Sequence, residues 1–334
     1  MPIDYEERFR KLRSDTSPAR WPASTHHRAP HKPFMLLTVM DLIAQEIIQT
    51  NFIEFNYDLL DVFDLYWTRI MGADKPTNPV LPFFHLRSDG FWHLIPRPGK
   101  EQVLQSITQI RTRGQLQDIV LGAKLDEGLF WQMQDQLERN RLRTVIIESY
   151  FAPALRPVLI DLGEITAEAF QYSFDLVNSA KKRFKLGSKH LRETGEEYKP
   201  EARSVAFRRV VVKAYNYTCA MCRIRLMTPE GRSAVVAAHI VPWSESYNDD
   251  PRNGLSLCGL HHWVFDEGLV TISDDHLINV SKAVPADTGG TEPLLELSGR
   301  KLHLPESPMY WPAEDALSWH RAHTFRNKTA RRLL

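Results

Sequence analysis

The sequence predicts an α+β fold in two domains. The first is a mainly helical N-terminal domain with a small β-hairpin or sheet, and the second is built from strands and a helix around a metal-binding knot. Three observations carry this reading. A chain of 334 residues exceeds a comfortable single core, since domains of roughly 100–200 residues are the usual unit. Apolar residues recur at helical spacing through the first half, interrupted by one alternating aromatic stretch. All three cysteines fall between Cys219 and Cys258, in a chain otherwise empty of them.

The elements follow in order. Residues 5–14 read as a charged helix, and a polar stretch rich in Pro and His leads through Ala29, Pro30, His31, Lys32 and Pro33 into an apolar helix over 34–50. Pro33 suits a helix start, where its missing N–H has no partner to lose. Residues 52–55 read as a brief strand and 57–71 as an amphipathic helix. Between 79 and 95, Ser88-Asp89-Gly90 separates two aromatic runs, a hairpin signal. Helices are expected over 101–110, 126–137, 139–150 and 165–183. The polar stretch 187–200 lacks apolar periodicity and reads as a linker, which sets domains at 1–183 and 204–334 with a linker over 184–203. A basic amphipathic helix over 204–215 opens the second domain, and a short strand runs up to His239 before Pro242 breaks it. Beyond Asp274 the pattern gives a loop (285–291), a strand-like stretch (294–304), an irregular stretch (305–312), a helix (313–323) and a basic tail (326–332).

Composition is that of an ordinary soluble protein, 43% hydrophobic and 25% charged. No apolar run approaches the roughly twenty residues needed to cross a bilayer. An odd cysteine count and the lack of a visible leader argue against disulfides, and the default expectation is the cytoplasm of a prokaryote.

The cysteines are spaced for chemistry. Cys219 and Cys222 are separated by two residues within one knuckle, and Cys258-Gly259-Leu260-His261 repeats the spacing with an imidazole. Four such donors suit a tetrahedral structural zinc, which thiolates favour over harder cations. The plainer alternative is three buried free cysteines, against which the paired spacing counts. His239, Asn253 and His262 are left over. In that order and spacing, residues 214–273 resemble an HNH endonuclease module of the ββα-metal type. The resemblance implies that His239 is the general base for an attacking water, that Asn253 orients it or braces the loop, and that His262 holds a divalent cation while His261 serves zinc. Imidazole has a fitting proton affinity near neutrality, and a cation such as Mg2+, or Mn2+, Co2+ or Ni2+, neutralises phosphate charge. One departure stands out: many such modules carry an Asp before the base, and this chain has Ala238, with Asp266 and Glu267 as candidate substitutes.

The flanks add a nucleic-acid signal. Residues 181–213 hold eleven Lys or Arg against four Glu, in a chain of net charge +1. Such runs are commonly solvated linkers, but beside a phosphodiesterase centre they form a backbone-contact surface. In the first domain, Ala29–Leu37 (APHKPFMLL), Pro82–Trp92 (PFFHLRSDGFW) and Glu148–Pro153 (ESYFAP) resemble the sulfur-binding domains of phosphorothioate-dependent restriction endonucleases. That resemblance implies a reader of phosphorothioate-modified double-stranded DNA. His31 and Lys32 would reach bases or phosphate, and the turn Tyr150, Phe151, Ala152, Pro153 would form an apolar cup for sulfur. Arg87 is a further candidate contact, with hairpin support as its plainer role. The plainer role of Tyr150 to Pro153 is a helix-ending turn with its aromatics packed inward. Two alternatives stay open: an HNH nuclease that reads methylated or unmodified DNA, and an inactive zinc-stapled DNA-binding protein. Two strand cuts per duplex make a homodimer compatible with the enzyme reading.

Overall fold

The computed structural model describes residues 3–187, 197–228, 232–285 and 290–326. The chain divides into two compact units, Met1–Ala167 with Met227–Arg232, and Glu168–Leu226 with Ser233–Leu334. Among the described residues, no helix is long and apolar enough to cross a membrane.

The first unit is organised around helix His31–Ala44, in which Phe34, Met35, Leu36, Leu37, Val39 and Met40 are all buried. A helix apolar on every side has to be central, and this one is. It starts earlier than the pattern implied, with Pro33 inside its first turn. Helix Tyr57–Met71 has the expected limits, and the Asn56 side chain caps it by accepting the Leu59 N–H. Inside this core sits one charged knot. Asp41 accepts from the Tyr66 hydroxyl (2.7 Å), the Thr166 hydroxyl (2.9 Å) and the Arg143 guanidinium. A buried carboxylate persists only when it is paired and hydrogen-bonded on all sides.

The hairpin expected over 79–95 does not form. Val80–His85 is a helix, Leu86–Asp89 a 3-10 turn, and strand β1 (Trp92–Pro96) pairs instead with β2 (Val120–Leu125), antiparallel from Trp92↔Leu125 to Pro96↔Val120. The aromatic run misled because Val80, Phe83 and Phe84 stand at i, i+3 and i+4 and are all buried, which is helical spacing. Gly90, at a left-handed φ of +83°, ends that turn of helix rather than joining two strands. Residues 52–55 contribute only a single bridge, Ile53 to Ala123. Helix 101–110 stops at Ser106. Asp135 splits the next pair into Glu127–Gln134 and Gln136–Tyr150, its carboxylate capping the N–H groups of Leu137 and Glu138. Helix Arg113–Ile119, opened by a Thr112–Gln115 capping box, was not anticipated.

Helix Arg156–Ala180 is longer than expected, beginning in the first unit and ending in the second. In the second unit, β3 (Val235–His239) pairs antiparallel with β4 (Gly254–Cys258), and helix Gly259–Asp266 follows β4 without a break. Helix Pro200–Ala214 packs on both strands. Its approach needs glycine at 254, where a Cβ would lie 2.6 Å from Val211 Cγ2 and 2.9 Å from Phe207 Cζ. A second strand pair, β5 (Val270–Ile272) with β6 (Ile278–Val280), and helix Glu314–His323 complete the unit. The strand expected over 294–304 is instead the short helix Glu292–Leu295 and one bridge from Leu277 to Lys301. The middle of the expected linker (188–196), the centre of the 285–291 loop (286–289) and the basic tail beyond Arg326 lie outside the described residues.

Asp41→Ala leaves the Arg143 guanidinium without its carboxylate, with the Tyr66 hydroxyl (2.9 Å) as a neutral partner. It is expected to cost about 3–5 kcal/mol in urea unfolding of the first unit, and a loss under about 1 kcal/mol would show that the knot contributes no net stability.

Candidate active site and its metal knot

Three chain segments deliver the knot donors: the turn after helix Pro200–Ala214, the end of β4, and the first turn of helix Gly259–Asp266. The ligand atoms of Cys219, Cys222, Cys258 and His261 all lie within 4.8 Å of one another. His261 Nδ1 is 3.4 Å from Cys219 Sγ and 3.2 Å from Cys258 Sγ, and Cys222 Sγ is 4.0 Å from Cys258 Sγ. Burial pushes the Cys222 and Cys258 thiols up, and the Cys219 sulfur adds to this at both. At Cys219 burial acts the same way, but the His261 hydrogen bond and nearby backbone N–H groups outweigh it. Three crowded sulfurs cannot all give up protons without a counter-charge. A dication among them supplies it, so the donor set fits a tetrahedral zinc on both spacing and charge.

His239 ends β3. Its ring stacks on Phe207, centroids 3.9 Å apart and 6° from parallel, and its Nε2 lies 2.8 Å from Asp249 Oδ1. Asp249 is 1% exposed, and its other oxygen accepts from Arg203 Nε (3.0 Å) and the Tyr172 hydroxyl (3.1 Å). Burial and the neighbouring Asp249 raise the Tyr172 pKa, keeping its proton available for that bond. A carboxylate only accepts, so the proton of neutral His239 sits on Nε2 and the Nδ1 lone pair is left open. Asp249 was missed in the sequence, where Asn248-Asp249-Asp250 looks like an ordinary polar turn.

Asn253 is fully buried. Its Oδ1 accepts the Val241 N–H (2.9 Å), and its Nδ2 donates to the carbonyls of Val241 and Asn248 (both 2.9 Å). Of the two roles implied for it, bracing the loop between the strands is the one its bonds perform, while Asp249 holds the ring. His262, one residue beyond the knot ligand, turns away from the sulfurs and lies with Nε2 3.2 Å from Asp266 Oδ2, one helical turn on. His239, His262 and Asp266 line the same pocket of about 360 Å3, walled by Pro242, Trp243 and Phe265. Burial pushes the Asp266 carboxyl up, and His262 and His239 both pull against it. Glu267, the other proposed substitute for the Asp missing at Ala238, is instead paired with Arg326 (2.6 Å). Ala238 itself is buried. Among the described residues only the Cys3His group brings three such ligand atoms within 4.8 Å. At the pocket, His262 and Asp266 are a close imidazole–carboxylate pair among the described residues.

The reader residues separate on inspection. His31 and Lys32 line one pocket of about 470 Å3 in the first unit, together with Trp21, Leu81, Pro82 and His85. His31 packs between Trp67 and Trp21, and burial pushes its pKa down to about 4, against the pull of Asp15, so it is neutral at physiological pH. The Lys32 ammonium is bound by Asp89 (2.5 Å) and Ser88 (3.3 Å). Arg87 lines a second pocket of the first unit, of about 580 Å3, but its hydrogen bonds are spent within the unit. Its guanidinium donates to the carbonyls of Leu104 (3.0 Å) and Ile107 (2.6 Å) and lies over Phe84, so it braces the core. The cup at Tyr150 to Pro153 is likewise corrected. Tyr150 is fully buried with its hydroxyl between Phe9 O and Leu12 N (both 2.8 Å), and Phe151 stacks on Phe34. Ala152 is half-buried, its N–H donating to Ser24 O, and Pro153 is exposed. The plainer turn reading was the right one for the two rings.

Residues 219–273 match the HNH endonuclease family. This stretch is an HNH endonuclease domain, which is hydrolase chemistry, and such nucleases use divalent metals. Among curated proteins none matches the chain. Among solved structures, one similar chain is a "Modification dependent TagI restriction endonuclease", at 22% identity and a TM-score of 0.29, covering 39% of this chain and 41% of that one. The chain thus spans less than half the length of that protein, and the likeness does not extend to a shared overall fold.

Cys219→Ser is expected to lose the bound zinc on elemental analysis, and chelation of the parent to unfold the second unit. A structural zinc of this kind contributes on the order of 10 kcal/mol at neutral pH. Retention of metal and of the melting midpoint by the variant would remove Cys219 from the knot, and a parent free of zinc would remove zinc from the account.

Proposed function

We propose that this chain is a modification-dependent DNA endonuclease that hydrolyses phosphodiester bonds with His239 as general base and one divalent cation. The HNH domain supports the reaction class. The observation that carries the mechanism is the meeting of His239, His262 and Asp266 around one pocket, with Asp249 fixing the tautomer of the first.

The steps follow from the side chains. His239 Nδ1, unprotonated and facing outward from the Asp249 bond, takes a proton from a water aimed at phosphorus. Asp249 holds the ring in place and stabilises the imidazolium that results, while Phe207 prevents it from tilting. Asn253 keeps the loop after β3 at the length this geometry needs. His262 and Asp266 would hold the cation, which when bound neutralises the phosphate and the departing oxygen. An imidazole and a carboxylate together suit Mn2+, Co2+ or Ni2+ as well as Mg2+. In this reading Zn2+ sits in the Cys3His knot as a staple of the ββα-metal fold, and the basic stretch 181–213 contacts the DNA backbone.

For the modification, we propose a phosphorothioate. Sulfur is larger, more polarizable and less hydrated than oxygen, so an apolar pocket beside a cation favours it without any donor that would prefer oxygen. The pocket lined by Trp21, Leu81, Pro82 and neutral His31 offers such apolar walls, with Arg13, Ser14, Lys32 and Ser88 among its polar groups. Ala152 and Pro153 remain candidate contacts at the surface of the same unit, and the cytoplasm of a prokaryote is the expected setting.

Cleavage of modified duplex with Mn2+ or Mg2+ should fall by about 10²–10⁴-fold in His239→Ala. Asp249→Asn, which turns an amide donor toward Nε2 and favours the wrong tautomer, should cost about 10²-fold or more with little change in KM. Failure of the parent to cut any DNA in any divalent metal would leave the inactive zinc-stapled binder. Gel shifts on two duplexes that differ by one backbone sulfur should show preference for the sulfur form. Equal binding would return the methylated or unmodified DNA reading.

A further inference from the structure

We infer that the solvent-facing side of helix Gly259–Asp266 stacks against a nucleobase beside the scissile phosphate, with Trp263 as the inserted plane and Leu260 as its flank. This rests on the nuclease reading and adds how the duplex is opened at the cut.

The helix is fixed from within. His261 is drawn into the Cys3His knot, and Val264 and Phe265 are buried. At about 100° per residue, the remaining arc carries His262 and Asp266 along one edge, then Trp263, then Leu260. The first two line the pocket. Trp263 is 58% exposed and Leu260 59% exposed. Single apolar residues scattered over a surface need no explanation. An indole left mostly in water on a clamped helix, adjoining the pocket and flanked by a second large apolar side chain, is a different case.

The charge on this helix narrows the partner. Its sequence, Gly-Leu-His-His-Trp-Val-Phe-Asp, has neither Lys nor Arg, and the next residue, Glu267, is paired with Arg326. It cannot grip phosphate by charge, the usual source of affinity for DNA. It offers instead a flat aromatic face and a branched aliphatic, which match the π-face of a base. Such stacking accepts any base, and apolar wedges inserted at a base step unstack and kink the duplex. A strand whose phosphate lies between His239 and His262 runs against this arc, so a base next to that phosphate is the nearest partner for the indole. A second copy of the chain is the rival occupant and lacks that continuity with the pocket.

The experiment compares the full zinc-loaded chain, Trp263→Ala and Trp263→Phe on a duplex and on the same duplex carrying a short mismatch at the cut. The alanine variant should cut the duplex roughly 5- to 100-fold more slowly, the span that a base–aromatic stack confers. The mismatch should restore most of that rate, and phenylalanine should be intermediate. No loss, or equal loss on both substrates, overturns the inference. So does a loss that tracks a smaller species in sedimentation, which assigns the face to self-association. Duplexes labelled with 2-aminopurine at several positions, bound by the His239→Ala chain, give a readout independent of cutting. A fluorescence rise that vanishes in the double variant with Trp263→Ala supports base contact even if the parent proves unable to cut. A rise that persists defeats this inference while leaving the nuclease reading intact.

Discussion

The four donors of the Cys3His knot do more than hold three segments together. They fix the rotation of helix Gly259–Asp266 about its own axis. Neighbouring residues on a helix point about 100° apart, so drawing His261 toward the sulfurs leaves His262 directed to the opposite flank, where His239 and Asp266 meet it. The strand pair beneath sets the height of His239, because β3 ends at the residue that pairs with Gly254, the start of β4. A loss of one sulfur would therefore act on the pocket of His239, His262 and Asp266 through rotation of the helix.

Around His239 the division of labour among polar residues is clear. Asn253 spends its hydrogen bonds on the backbone of residues 241 and 248, and Asp249 is left to hold the imidazole. Asp249 is itself constrained by Arg203 and Tyr172 from two helices. Arg203 also lies against the Trp243 ring, a wall of the pocket, so base, clamp and wall form one contiguous structure.

The metal knot and the two pocket histidines were legible in the sequence because their signals are local. Ligand pairs separated by two residues, and an ordered His–Asn–His series, survive in one dimension. Helix 57–71 was legible for the same reason, since its apolar stripe and its Asn56 cap are both short-range. Asp249 was not, because its role depends on Tyr172 and Arg203, which the chain brings from 77 and 46 residues away. Tyr150 and Phe151 show the converse error: aromatic residues in a plausible recognition turn proved to be core, and only their partners Phe9 and Phe34 reveal it. The misread stretch 79–95 failed on period, since an aromatic-rich run fits strand and helix alike until its long-range pairing with 120–125 is known.

Ala238 has a consequence for when the enzyme can act. With an alanine where a carboxylate often stands, the proposed ion would rest on one imidazole and one carboxylate, His262 and Asp266, both from a single helical turn. Two protein donors make a poor cage, so the ion's remaining positions fall to solvent and to the nucleic acid itself. Metal capture and substrate docking then become a joint event. Between encounters a centre held this way would stay incomplete and so idle until a strand completes it.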